Sequence, residues 1–372
     1  MRVLIVGGGV LGTMHAWQAV ERGHDVVQLE REPEARGASV RNFGLVWVGG
    51  RAAGDELDTA LRARELWAEL GRRAPGLGFR ANGSLTVLRT PTELAVAEET
   101  VARADAAARG LALLGPDAAR AVNPALRGDL LGALHCDRDA AVEPRTAQPV
   151  LRELLLATGR YTWLPGREVR DVDTGGVRDD RGERHAADVV VLCTGAWLGG
   201  LVREIAGTPP VRRVRLQMMQ TDPLDEQLTT SVADGDSLRY YPAYRGAALD
   251  ELNRTQPQPA IAAEHAMQLL VVQRLDGGLT IGDTHGYAEP FPFDVDEDPY
   301  EHLTEVAASV LGRPLPRIRR RWSGIYAQCL DTGQVVHRER VADGVWLVTG
   351  PGGRGMTCSP AIAEQTAEEL GL

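Results

Sequence analysis

Val3-Leu4-Ile5-Val6-Gly7-Gly8-Gly9-Val10-Leu11-Gly12 is the stretch that decides the fold. The short apolar run from Arg2 to Val6 reads as a buried strand emptying into a glycine turn. Gly7, Gly9 and Gly12 satisfy G-x-G-x-x-G. The first glycine permits the tight turn, the second a close backbone approach to a pyrophosphate, and the third close packing of helix on strand. A helix follows over Leu11 to Glu21, Gly23 stops it, and Val26 to Leu29 forms the next strand. The helix begins with free N–H groups and the positive end of its dipole facing the turn, a seat for phosphate. Glu30 closes the second strand, about 20 residues on, where a carboxylate accepts hydrogen bonds from both hydroxyls of an adenosine ribose. The unit therefore predicts a dinucleotide, with Val10, Leu11 and Arg31 lying beside it.

Further along, Asp55 to Leu70 reads as a helix, Ser84 to Leu88 as a strand, and the alanine-rich stretch from Glu93 to Arg109 as one helix. Val189 to Thr194 is a continuous apolar run closed by Gly195, as expected of a strand covered on both faces. A third such strand, Val345 to Thr349, ends in Gly350-Pro351-Gly352-Gly353-Arg354-Gly355, with a helix expected from about Ala361. Between them lie alternating β-rich stretches at Val214 to Gln220, Gln268 to Gln273 and Leu279 to Ile281.

With 372 residues, 44% of them hydrophobic and 25% charged, the composition is that of a globular chain of about two domains. No window holds about 18 apolar residues in a row, so no membrane span is expected and a cytoplasmic location is the default. A net charge of −10 argues against a nucleic-acid partner. Arg317, Arg319, Arg320 and Arg321 read as a solvated strand flank. Cys136, Cys193, Cys329 and Cys358 form no C-x-x-C pair, which predicts neither a disulfide framework nor a metal site.

The glycine loop alone does not distinguish NAD from FAD. Gly37-Ala38-Ser39-Val40-Arg41-Asn42-Phe43-Gly44, taken with the N-terminal loop and the C-terminal glycines, resembles the D-amino-acid oxidase superfamily of flavoproteins, which includes glycine and sarcosine oxidases. The resemblance spans nearly the whole chain, with Val142-Glu143-Pro144-Arg145, Val169, Thr194-Gly195-Ala196-Trp197 and Gly350 to Thr357 matching in order. It implies FAD held by Ala38, Ser39, Arg41, Asn42, Phe43 and Gly44, by Val169, by Thr194, Gly195 and Trp197, and by Gly350, Gly352, Gly353, Arg354, Gly355, Met356 and Thr357. Backbone donors in the last segment suit a reduced flavin, which carries negative charge near N1 and C2=O. The implied fold is an α/β Rossmann-like FAD domain of residues 1–78, 142–212 and 323–372. A substrate domain of 79–141 and 213–322 with a mainly antiparallel sheet is joined to it. Relatives that attach flavin through cysteine place it near Gly324 rather than Cys329, so noncovalent FAD is expected.

Such enzymes oxidise an amine by hydride transfer to flavin N5, after which the imine is hydrolysed; positioning matters more than acid–base machinery. Trp322-Ser323-Gly324-Ile325-Tyr326-Ala327 has Tyr326 where glycine-oxidase-like members carry a carboxylate-binding arginine. A tyrosine cannot make a bidentate ion pair, which moves the expected substrate away from simple α-amino acids. The loop near residue 40 and the closing glycines together resemble a bacterial subgroup associated with phosphonate breakdown. That implies a small anionic amine such as aminoethylphosphonate or its N-methyl derivative. Thr357 stands where a relative's oxygen-activating lysine would be, leaving O2 or another electron acceptor open. Candidate substrate-positioning residues are Tyr326, His265, Arg239 and Tyr241, with Arg41, Tyr240, His285 and Arg354 beside them. A glycine, sarcosine or D-amino-acid oxidase, an NAD-dependent dehydrogenase and a non-catalytic flavoprotein are the competing readings.

Overall fold

The computed structural model describes all 372 residues. The expected opening unit forms with a strand at Arg2–Val6, a helix at Val10–Glu21 and a strand at Asp25–Glu30. These strands sit in a six-stranded sheet whose spatial order is 337–342, 345–349, 189–192, 2–6, 25–30 and 161–165. All neighbours run parallel except the edge strand His337–Ala342. Val3 and Ile5 pack on the layer of helices Val10–Glu21, Asp55–Arg73 and Gly355–Leu370. Leu4 and Val6 point the other way, into a core shared with the small antiparallel sheet of 169–186. Burial of both faces explains why these strands read as unbroken apolar runs.

The second layer system is an eight-stranded sheet in the order 318–329, 211–223, 278–282, 270–273, 231–233, 84–88, 132–136 and 111–114. It is antiparallel except where Ser231–Ala233 runs parallel to Ser84–Leu88. One face is covered by the helix Glu297–Leu311 through Tyr300, Leu303, Ala307 and Val310. The other carries Leu216, Met218, Leu270, Tyr241 and Tyr326 toward the FAD-type sheet.

Three expectations need correction. Residues 93–109 are not one helix: Pro91–Val101, opened by a Thr90/Glu93 capping box, is separated from a short turn of helix at Ala106–Arg109. The break lets Arg109 reach inward to the carbonyls of Gly49 and Arg51. The closing helix begins at Gly355, not near Ala361. Pro360 lies inside it, and the Met356 carbonyl that its missing N–H would have bonded accepts instead from Trp67 Nε1 at 3.0 Å. Finally, the strands Val211–Pro223 and Ile318–Cys329 run straight across the expected boundaries at 212/213 and 322/323. Their arginine-rich starts hide the β pattern, and Arg317, Arg319 and Arg321 pair with Asp222, Asp276 and Glu297.

Candidate active site

A cavity of about 1060 Å3 opens where the carboxyl ends of the parallel strands meet the large sheet. Its floor is the glycine turn. A Cβ on Gly7, where φ is +110°, would lie 2.3 Å from the Cys193 carbonyl, and one on Gly12 would lie 2.1 Å from the Gly7 carbonyl. Gly12 does not itself line the cavity; it brings the helix against the strand, as the motif requires. A Cβ on Gly9 would meet only Ser39 Oγ, at 2.9 Å, so the glycine keeps a cradle open. Ser39 Oγ accepts from the Val10 N–H at 2.9 Å. The helix Val10–Glu21 has no side-chain cap of its own and no acid in its first turn, which leaves its N-terminus positive. Glu30 is fixed by accepting from the N–H groups of Gly8 at 2.7 Å and Glu32 at 3.0 Å. Two of its roughly four acceptor positions remain for a ribose.

Beside this floor, Arg31 lies over the Trp197 ring at 4.4 Å, and Val169, Thr194 and Gly195 complete the wall. Thr194 Oγ1 is buried without a partner, and nothing lies within 4 Å of the Cβ positions of Gly195, Gly199 or Gly200. From the far end of the chain, Gly352 to Thr357 bring the uncapped N-terminus of the closing helix to the same cavity. Two helix N-termini, a ribose-type carboxylate, an orphaned hydroxyl and open glycine cradles suit a long dinucleotide with a charged middle.

Several residues expected at the cofactor, among them Arg41, Asn42, Arg354 and Thr357, line the cavity and also brace the loops around it. Asn42 donates to the carbonyls of Ala38 and Ser39 and accepts from the Gly44 N–H, stapling its own turn. Arg41 donates to the carbonyls of Arg36 and Ser323. Gly44 does not line the cavity; its φ of +71° and a Cβ position 2.1 Å from the Val142 carbonyl give it a packing role. Gly350 likewise packs against Val211 and Cys329. Phe43 and Ala38 do reach the cavity, as do Leu11 and Met356. Arg354 directs its guanidinium to Glu56 at 3.0 Å and to the carbonyls of Thr332 and Gln334. Thr357 Oγ1 is buried, donating to the Leu45 carbonyl and accepting from the Trp47 N–H. Cys329 is fully buried and lies outside the cavity wall.

On the opposite wall, the antiparallel pairs Arg212↔Gln328 and Leu216↔Gly324 bring the strands 211–223 and 318–329 to the cavity together, with Tyr326 between them. Tyr326 is buried and its hydroxyl has no hydrogen-bond partner; burial pushes its phenol pKa up. A Cβ on Gly353 would lie 3.6 Å from the Tyr240 hydroxyl and 3.9 Å from that of Tyr326, so both phenols converge on the closing loop. Tyr240 stacks on His285 at 4.4 Å, His285 faces Tyr287 at 6.5 Å, and Arg212 covers Tyr287 at 4.3 Å. Tyr241 is wedged between Trp47 at 5.4 Å and the edge of Tyr240.

Two of the expected substrate residues are not placed as expected. His265 lies outside the cavity wall, and its carbonyl accepts from the His285 N–H, so His285 is the histidine that the fold presents. Arg239 reaches the wall, but Asp236, Asn253 and the Gln256 carbonyl take up three of its five donors, one on each nitrogen. Sequence reasoning missed Arg51, Glu56, Arg212, Gln268, Asp283 and Gln328, all of which line the cavity. Arg213 lines the cavity beside Arg212 but, unlike it, is paired with a carboxylate, that of Glu289. Asp179, Glu183 and His185 also converge, outside the cavity, where Arg167 pairs with both acids.

The fold and this site define a flavin-type dinucleotide enzyme built from both ends of its chain. The chain belongs to the family described as FAD dependent oxidoreductase, whose profile matches residues 2–369. It is an FAD-dependent oxidoreductase. It is similar to a D-amino-acid oxidase of Streptomyces coelicolor, 30% identical over 274 residues that span 70% of this chain and 74% of that one. It is also similar to an anaerobic glycerol-3-phosphate dehydrogenase of Escherichia coli, 31% identical over 145 residues, only 26% of that polypeptide. Among solved structures, glycine oxidase from Geobacillus kaustophilus superposes with a TM-score of 0.79 at 21% identity, covering 100% of this chain and 95% of the other. Iminodiacetate oxidase from Chelativorans gives 0.76 at 19% identity with the same coverage. At those identities the likeness is one of fold. No helix is long and apolar enough to cross a membrane.

Proposed function

We propose that the enzyme oxidises the C–N bond of a small amine that carries an anionic group, such as aminoethylphosphonate or its N-methyl derivative. FAD, when bound, would supply the hydride acceptor for the carbon bearing nitrogen, and the substrate imine so formed would hydrolyse to a carbonyl compound and an amine. The observation that carries this reading is Arg212. It is half-buried in the cavity wall, has no carboxylate within ion-pair distance, and is held by Gln328 Oε1 at 3.0 and 2.9 Å. A partly desolvated guanidinium without a counter-charge favours an anionic ligand.

The phenols of Tyr240 and Tyr326 add neutral donors in the same cavity, a set that suits a tetrahedral dianion better than one planar fork would. Gly352 to Gly355 and the helix behind them would offer positive dipoles to the negative charge of a reduced flavin. Noncovalent attachment is part of the proposal, since Cys329 is sealed away. A second reading, in which Arg212 takes the carboxylate of an amino acid, is favoured by the D-amino-acid oxidase relative.

Anaerobic bleaching of the holoenzyme by glycine, sarcosine, aminoethylphosphonate and N-methyl-aminoethylphosphonate tests both. Bleaching by the phosphonates alone supports the first reading, and bleaching by the amino acids alone replaces it with the second. Heat release of the yellow colour tests the noncovalent link.

A further inference from the structure

We propose that Asp283, with Gln268 and His285, forms the subsite that receives the substrate's ammonium group and takes a proton from it before oxidation. The inference rests on the amine reading above. Asp283 follows the strand Gly278–Gly282 and enters the cavity wall at 5% exposure. Its carboxylate is poorly served: Gln268 Nε2 is 3.5 Å from Oδ1, at the limit of a hydrogen bond, and His285 Nε2 is 3.8 Å from Oδ2. No lysine or arginine lies within ion-pair distance of it.

His285 does not repair this. Its Nδ1 lies 2.9 Å from the Ala266 carbonyl, an atom that only accepts, so Nδ1 carries the hydrogen and Nε2 of the neutral ring is an acceptor. Gln268 Oε1 is buried without a partner. Asp283, Gln268 and His285 thus present three acceptors to one part of the cavity, and a primary ammonium has three N–H donors. An under-paired carboxylate in a desolvated site is destabilising unless a cation joins it. Arg212, beyond the Tyr240, His285 and Tyr287 stack, stands ready for the opposite charge of a zwitterionic substrate.

The step balances simply. R–CH2–NH3+ gives one proton to the Asp283 carboxylate, leaving R–CH2–NH2 and a neutral carboxyl. The freed nitrogen lone pair can then form the C=N bond as the C–H hydrogen leaves with its electron pair as hydride, for which bound FAD would be the acceptor. Asp283 returns the proton to water when the product leaves. Burial raises the Asp283 pKa and so brings the acceptor closer to the amine. Tyr240, Tyr241, Tyr287 and Tyr326 also face this carboxylate, and burial raises their pKa values, so they stay neutral over the working range. His285 is the other group here that can gain charge, and Arg51 is the cation facing Tyr240 and Tyr241.

The test uses Asp283→Asn holoenzyme, its FAD content read from the visible spectrum. The anaerobic rate of flavin reduction by each bleaching amine is followed from pH 6 to 10. The variant should be slower at pH 7 by on the order of 100-fold, with the deficit closing as the amine deprotonates in solution. Asp283→Glu should recover part of the rate at pH 7. A deficit under threefold, or one equal at every pH, overturns the proposal while leaving the amine reading intact. If no amine bleaches the FAD-loaded wild type, the amine reading fails and this inference falls with it. A measurement on the wild type alone covers a variant that does not fold. A substrate analogue with two methyl groups on the carbon bearing nitrogen has no hydride to give. It should bind at pH 7 with no net proton release to a pH indicator; release of one proton per analogue bound overturns the proposal.

Discussion

Glu56→Gln should loosen the FAD end of the molecule more than any contact on the surface. Glu56 lies at 5% exposure between two buried guanidiniums, with Arg354 Nη1 at 3.0 Å from one oxygen and Arg51 Nη1 at 3.6 Å from the other. Removing the carboxylate charge leaves two buried cations facing an amide that can accept from only one of them. Breaking a buried pair in this way costs about 3–5 kcal/mol. At about 2.1 cal/mol/K per residue, the unfolding entropy of 372 residues is about 0.8 kcal/mol/K, which converts 3–5 kcal/mol into a Tm lower by about 4–6 °C. Arg354 also ties the carbonyls of Thr332 and Gln334 to the Gly352–Gly355 turn, so flavin release should precede unfolding in the variant. Thermal melts followed both by flavin fluorescence and by far-UV circular dichroism measure the two events. A variant that melts within 1 °C of the wild type and releases FAD at the same temperature would refute the reasoning.

Arg212→Gln should raise KM for an anionic amine by about 10- to 100-fold, the worth of one desolvated charge-assisted hydrogen bond, and leave KM for a neutral amine within about twofold. Equal effects on both amines would remove Arg212 from anion recognition. Gly12→Ala forces a Cβ to 2.1 Å from the Gly7 carbonyl, so the purified protein should come without FAD and bind it at least tenfold more weakly in titration. His15 is fully buried, which lowers its pKa from 6.5 to about 4, with Arg338 adding to the effect and the bond to the Leu11 carbonyl opposing it. The unfolded chain therefore takes up the proton first as pH falls. This contribution is whole above pH 6.5 and is lost between about 6.5 and 4, on the order of 3 kcal/mol. Urea melts of wild type and His15→Gln across that range should converge toward pH 4 if the sign is right, and run parallel if it is wrong.

The two ends of the chain differ in how much their sequence discloses. Gly7, Gly9, Gly12 and Glu30 are read locally, because a tight turn, a helix start and an acid at the end of a strand are properties of one βαβ unit. Val189 to Leu192 and Val345 to Thr349 are legible for a related reason, since a strand covered on both faces must be apolar throughout. The motifs in order thus suffice to define the FAD-type fold. The start of the closing helix was not legible, because Pro360 looks like a barrier until Trp67, far away in sequence, satisfies the carbonyl that Pro360 leaves free. The substrate wall was not legible either. Arg212 and Arg213 are equivalent in sequence and both reach the cavity, and only the tertiary structure gives Arg213 a carboxylate, Glu289, while leaving Arg212 without one. His265 and His285 are alike as residues, and the packing of Tyr240 on His285 chooses between them. Charge balance in a buried site depends on which side chains from distant segments meet there. The sequence alone therefore determined the dinucleotide cradle, whereas the tertiary structure decided the polarity of the pocket beside it: free cation at Arg212, under-paired acid at Asp283.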